Sequence, residues 1–189
     1  MTRLAGFLGI WMEQDETPWF IKMKQMGLIN RVIEAMGLES ANAKWTPAEA
    51  IPLAKDADGE EATGMFNYAS VVGMLLYLSG HTRPDVAYAV NCAARYMFCP
   101  KRLHEVSVTQ IGRYLKATRT RGLIVNPSHT TLKIDAYPDA DFAGMYGHEK
   151  ADDPTCVRSR TGYIITLCNV AVLWQSKFQT EMALLTMQA

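Results

Sequence analysis

The chain has 189 residues, enough for one domain or for one and part of another. Hydrophobic residues make up 49% and charged residues 20%, a globular balance in which a core can form. The formal net charge is zero, so no whole-chain field points to nucleic acid and any such case rests on local patches.

Four cysteines, Cys92, Cys99, Cys156 and Cys168, form no C-x-x-C pair, which excludes a disulfide-dense scaffold and reads as free thiols in a reducing compartment. The opening ten residues lack a secretory apolar region followed by a cleavage site. No run approaches the roughly 18 apolar residues of a membrane span. The expectation is a soluble intracellular protein whose eleven methionines fill the core.

Phe7-Leu8-Gly9-Ile10-Trp11 reads as a strand that begins almost at the first residue. Lys22 to Glu39 holds a helical pattern, with Ile29, Val32, Ile33 and Met36 on one face and Gly37 suited to the C′ position. Residues 40–64, rich in Pro, Ala, Asp and Glu, read as an extended exposed connection. Phe66 to Ser79 is apolar nearly all round, a buried helix ended by Gly80. Thr82-Arg83-Pro84-Asp85 starts another helix, with Thr82 as cap and Asp85 at the positive end of the helix dipole, running to Phe98. Leu103 to Thr118 is a further helix.

The last third changes period. Gly122 to Asn126 is a short strand, and Thr131 to Tyr137 alternates, with Leu132, Ile134 and Ala136 facing one way. Thr161 to Leu167 and Val170 to Ser176 are strands joined by a tight turn at Cys168-Asn169. Thr180 to Ala189 reads as a helix without a stop signal. Both ends of the sequence read as cut from something longer.

Three constellations carry candidate chemistry. Asp139 and Asp141 stand at i and i+2 at a strand end, a hard-oxygen pair suited to Mg²⁺ and equally an ordinary acidic turn. Lys101, Arg102, Arg113, Lys116, Arg119 and Arg121 face a single acid, Glu105, between residues 101 and 121. That stretch can track a phosphate backbone, or be a solvated helix face with cations at its C-terminal end. Met145 to Arg160 reads as a solvated hairpin loop, because His148 and Cys156 have no second pair spaced to complete a zinc site. No Gly-rich phosphate loop and no G-x-S-x-G elbow is present.

Several strings, in order along the chain, carry a resemblance. Tyr68 to Leu78 resembles "YRSLVGSLLYL", Thr82 to Val90 resembles "TRPDIAYAV", and Arg113 to Thr118 resembles "RYLKGT". Tyr137 to Gly144 resembles "YSDADWAG", Ser159 to Tyr163 resembles "RSTSGY", and Trp174 to Lys177 resembles "WSSK". These strings are those of copia-type LTR retrotransposon polyproteins, in which Phe7-Leu8-Gly9-Ile10 resembles the strand just after the polymerase active site.

The resemblance implies a parent with integrase, reverse transcriptase and ribonuclease H, in a cytoplasmic virus-like particle and in the nucleus. It implies an α+β fold. Residues 1–126 would be mainly helical, the C-terminal part of the reverse transcriptase and the connecting region. Residues 127–189 would be the truncated N-terminal part of a ribonuclease H-like domain, an antiparallel three-stranded unit with the start of a helix. Asp139 matches that domain's first catalytic carboxylate, a ligand of Mg²⁺ or Mn²⁺, and Asp141 stands at a neighbouring motif position as a metal ligand. The polymerase aspartate pair lies upstream of the segment. Gln188 stands where the first Glu of the following "LSTAEAEY" helix would be, so the sequence stops one residue short of the second catalytic carboxylate.

The expectation is a fragment, inactive alone, whose partners are an RNA–DNA hybrid and the rest of the polyprotein. The alternatives are a non-catalytic nucleic-acid-binding module and a relic reading frame without function.

Overall fold

The computed structural model describes residues 2–14, 19–127 and 131–184. Its first sheet begins with a hairpin rather than the single strand expected across Phe7 to Trp11. Strand β1 (Thr2–Phe7) turns back through Leu8 (φ 51°) and Gly9 (φ 76°) into β2 (Ile10–Gln14). Two consecutive left-handed residues match the twist of a two-residue hairpin. Strand β3 (Ile21–Lys24) pairs antiparallel with β2, so the helical pattern read from Lys22 starts later, with helix α1 (Met26–Ala35).

Helix α1 buries Ile29, Val32 and Ile33 and stops at Gly37 (φ 62°). The Gly37 N–H donates to Glu34 O (3.0 Å) and the Leu38 N–H to Ile33 O (2.9 Å), which satisfies carbonyls that the helix end would orphan. Residues 40–64 form the expected extended connection, tied by one isolated bridge between Glu61 and Lys101.

Helix α2 (Tyr68–His81) is capped by Asn67, whose Oδ1 accepts from Ser70 N at 2.9 Å. It continues through Gly80 instead of ending there. A 3₁₀ turn (Pro84–Val86) leads into α3 (Ala87–Ala94), shorter than the expected run to Phe98. Thr82 does not cap; its hydroxyl donates to Gln25 Oε1 at 2.8 Å. Helix α4 (Arg102–Ala117) follows. Ile29, Val32, Val72, Leu75, Leu78, Val90, Ile111 and Leu115 from the four helices make one core. Burying such side chains is worth roughly 1.5–3 kcal/mol each.

Strand β4 (Leu123–Val125) then adds to β3, giving the order β1-β2-β3-β4. Gly122 permits this return, since a Cβ there would lie 2.1 Å from the Met23 carbonyl oxygen. Among the described residues up to 126 there is a four-stranded sheet as well as four α-helices, so this part is mixed α and β rather than mainly helical.

The second sheet is antiparallel, β5 (Ile134–Ala140), β6 (Arg160–Leu167) and β7 (Val170–Phe178), in that order. Its tight turn is where the sequence placed it, with Cys168 (φ 51°) and Asn169 (φ 69°) both left-handed. Directly opposed residues share a face. Asp139, Gly162 and Ser176 form one row; Tyr137, Ile164 and Trp174 form the next; Arg160 and Phe178 flank them. This face turns toward the helices, where Trp174 Nε1 donates to the Ser79 carbonyl at 2.8 Å and the Arg160 guanidinium lies 5.3 Å from the Tyr88 ring centroid. On the opposite face Ile134 and Leu173 remain exposed.

Residues 141–159 are turns and not a simple solvated loop. Met145 and Cys156 are buried, and Glu149 pairs with Arg95 at the C-terminal cap of α3. Cys92 is buried in α3, whereas Cys99 is exposed and lies beyond its end. The helix expected over Thr180 to Ala189 is not formed in 180–184, and residues 185–189 lie outside the described residues.

Candidate functional site

Asp139 sits within β5, exposed like its chain neighbours, opposite Gly162. It lines a cavity of ≈ 290 Å³ with Pro84, Ala87, Tyr88, Trp174 and Ser176, so the 3₁₀ turn and α3 supply the opposite wall. Asp141 is engaged differently. Its N–H donates to Arg160 O (3.1 Å) and its Oδ1 accepts from Arg160 N (2.5 Å), closing the loop back onto β6. Gly144 makes room for that carboxylate, since a Cβ there would lie 2.2 Å from Asp141 Oδ2. Among the described residues no three His, Cys, Asp or Glu side chains gather in a metal-holding group.

The six basic residues are not one free face. Lys101 pairs with Glu61 and Arg102 with Glu105 (3.4 Å). Arg113 Nε donates to Asn42 O at 2.5 Å, and Lys116 Nζ to the carbonyls of Leu38 (3.2 Å), Glu39 (2.5 Å) and Ala41 (2.8 Å). These last two pin the connection that follows α1 onto α4. Arg119 and Arg121 are exposed, with long bonds to Asn30 Oδ1 (3.4 Å) and the Tyr114 hydroxyl (3.3 Å). The helix therefore presents cations at its C-terminal end and uses the middle ones to hold loops.

Three buried polar nodes were not apparent in the sequence. In the first, Arg83 is 1% exposed and grips Asp85 in two bonds, Nε to Oδ1 (2.8 Å) and Nη2 to Oδ2 (2.7 Å). Arg83 also donates to Thr118 O (3.2 Å) and Thr118 Oγ1 (2.7 Å), while the Tyr114 hydroxyl donates to Asp85 Oδ2 (2.8 Å). Burial pushes the Asp85 carboxyl up, but the Arg83 bonds and charge and the Tyr114 hydroxyl outweigh it and hold it below the usual carboxylate range. The motif around Arg83-Pro84-Asp85 and the motif around Tyr114 to Thr118 are thus two halves of one clasp.

In the second node, Glu105 accepts from Thr63 N, Thr63 Oγ1 and Gly64 N at 2.8, 2.8 and 2.9 Å, fixing the end of the connection. Beside it the fully buried His104 stacks on Tyr96 with centroids 3.8 Å apart. Its Nδ1 accepts from Lys101 N (2.8 Å), so its Nε2 carries the proton donated to Ala54 O (2.9 Å). Burial lowers its pKa. In the third, Arg95 donates to both Glu149 oxygens (3.0 and 3.2 Å), with the Tyr96 hydroxyl on Glu149 Oε1 (3.1 Å). That node and the Trp174 bond fasten the second sheet to the helices.

Fold and nodes together define an α+β segment whose clasps join motifs far apart in sequence, with Asp139 lining a cavity between the second sheet and the start of α3. The chain is 35% identical over 188 residues to the retrovirus-related Pol polyprotein from transposon TNT 1-94 of Nicotiana tabacum, across 96% of this chain and 13% of that protein. It is 32% identical over 176 residues to the retrovirus-related Pol polyprotein from transposon RE1 of Arabidopsis thaliana, across 93% of this chain and 11% of that protein. It is also similar to secreted RxLR effector protein 161 of Plasmopara viticola, 37% identical over 117 residues that cover 62% of this chain and 76% of that protein. No family model matches the chain and no solved structure matches it. The chain belongs to the copia-type retrotransposon Pol family, and it spans about an eighth or less of the two Pol polyproteins it matches. No helix among the described residues is long and apolar enough to cross a membrane.

Proposed function

We propose that the chain is the junction of reverse transcriptase and ribonuclease H in a copia-type Pol polyprotein, and that in its parent it holds an RNA–DNA hybrid without cutting it by itself. The observation that carries this reading is the register of the second sheet. It sets Asp139 opposite Gly162 at a cavity walled by the helices, in the strand whose sequence resembles the opening of a ribonuclease H-like domain. Asp139 is the proposed catalytic carboxylate and metal ligand of the parent. Asp141, tied to the Arg160 backbone, shapes the loop beside it. Divalent metal would supply Lewis acidity there, with its remaining ligands coming from the rest of the polyprotein.

Nucleic-acid contact falls to the exposed cations Arg119 and Arg121, with Lys101, Arg102, Arg113 and Lys116 supporting the surface through the contacts described. Fluorescence anisotropy with a labelled RNA–DNA hybrid over a range of salt tests this. Arg119→Gln with Arg121→Gln should weaken binding and reduce the salt slope by roughly 2, about one per lost phosphate contact. Salt-insensitive binding, or none, would refute the nucleic-acid part.

A further inference from the structure

We propose that Arg160 is an anion site, its guanidinium taking a phosphate oxyanion at the edge of the Asp139 cavity. The proposal rests on the preceding reading only for the source of that phosphate.

Arg160 is 7% exposed, yet among the described residues it forms no ion pair, and its guanidinium makes a single long hydrogen bond, to Ser176 Oγ at 3.4 Å. A guanidinium has five N–H donors, so most are unfilled by the protein. The other enclosed arginines of the chain set the comparison. Arg83 fills its donors with Asp85 and Thr118, and Arg95 lies on Glu149. A buried cation without a counter-ion is costly and points to an anion from outside the chain.

The group is also oriented. It lies 4.3 Å from the Phe178 ring centroid and 5.3 Å from that of Tyr88. Ring contacts of this kind hold the guanidinium plane and leave its N–H edge for a bidentate partner, the geometry in which arginine recognises phosphate. Asp141 would be the ready partner, but its Oδ1 is bound to the main-chain N–H of Arg160.

The location fits. Tyr88 and Ser176, both in contact with Arg160, line the cavity that holds Asp139, and the Ser176 hydroxyl, which accepts from Arg160, keeps its own O–H for a third oxygen. Aligned on Gly162-Tyr163, the string "RSTSGY" has threonine where this chain has Arg160. Arg160→Thr gives the residue of the resembled string.

Two arms separate a nucleic-acid phosphodiester from a free phosphate ion. In the first, the full chain is titrated with a labelled RNA–DNA hybrid across salt. Arg160→Gln and Arg160→Thr are expected to reduce the salt slope by about 1, while Arg160→Lys, which keeps the charge and the stem, retains it. In the second, inorganic phosphate is titrated while the ring resonances of Phe178 and Tyr88 are followed by NMR, and Arg160→Gln is expected to abolish the shifts. Loss in the first arm assigns a phosphodiester; loss in the second alone assigns a free phosphate. If no hybrid binds but phosphate shifts depend on Arg160, the nucleic-acid reading fails and the anion site stands. Responses unchanged in Arg160→Gln, or absent from the unmodified chain in both arms, overturn the proposal. Arg160→Lys keeps the test decisive if the neutral variants fail to fold.

Discussion

Replacing Arg83 with methionine removes the centre of the clasp that joins the segment before α3 to the end of α4. Methionine approximates the stem, so the loss is chiefly polar. Four hydrogen bonds disappear, two of them to a carboxylate, and the Thr118 hydroxyl and carbonyl and one side of Asp85 lose their donor. Breaking a buried pair by removing one partner costs about 3–5 kcal/mol. The Asp85 side chain is 35% exposed and keeps the Tyr114 hydroxyl, so the lower end, about 3 kcal/mol, is expected. For a chain of this size that corresponds to roughly 6–12 °C in Tm. A double-mutant cycle with Asp85→Asn, read by urea unfolding, should return a coupling of about 1.5–3 kcal/mol, the range for hydrogen bonds to charged groups. A coupling within about 0.5 kcal/mol of zero would refute the clasp, since independent sites add to that tolerance.

Other expectations follow from single nodes. His104 has a folded pKa below its unfolded value of about 6.5, so its contribution is fully present above that value and is lost as pH falls through it toward the folded pKa. Tm measured from about pH 7 to about pH 5 should fall more steeply for the unmodified chain than for His104→Gln; equal slopes would contradict the buried neutral tautomer. Lys116→Met should destabilise by about 1–3 kcal/mol because three carbonyls lose their donor, whereas Arg119→Gln should change stability by less than about 0.5 kcal/mol; equal effects in thermal unfolding would count against the division between loop-holding and exposed cations. Asn169→Gly, at φ 69° in the β6–β7 turn, should leave stability unchanged or raise it by up to about 1 kcal/mol, and a clear loss in a urea titration would contradict the left-handed turn.

The sequence made some of this legible because local pattern and tertiary role agree there. The apolar spacing of Ile29, Val32 and Ile33 with Gly37 marks α1 and its end, and the alternation around Cys168-Asn169 marks the β6–β7 hairpin. It failed where non-local pairing decides. Leu8 is a poor candidate for a left-handed turn, so the first hairpin looked like one strand. Lys22 and Met23 become a strand only because β2 and the distant β4 flank them.

Charge misled in the same way. Glu149 falls in a segment read as a solvated loop, and no local pattern marks Arg83 or Glu105 as buried, yet each of the three packs against a partner at least thirty residues away. Asp139 is a candidate by resemblance alone. Its cavity was not legible, because the wall comes from Pro84, Ala87 and Tyr88, more than fifty residues earlier. Arg160 carried a faint signal, a cation where the resembled string has threonine.

The central proposal, that the chain is a Pol junction with Asp139 at its candidate site and does not cut a hybrid by itself, is tested most directly by a ribonuclease H assay. The purified full chain is incubated with a labelled RNA–DNA hybrid and Mg²⁺, and in parallel with Mn²⁺. The account predicts no cleavage above the level given by Asp139→Asn in either metal. Robust cleavage that disappears in Asp139→Asn would contradict it.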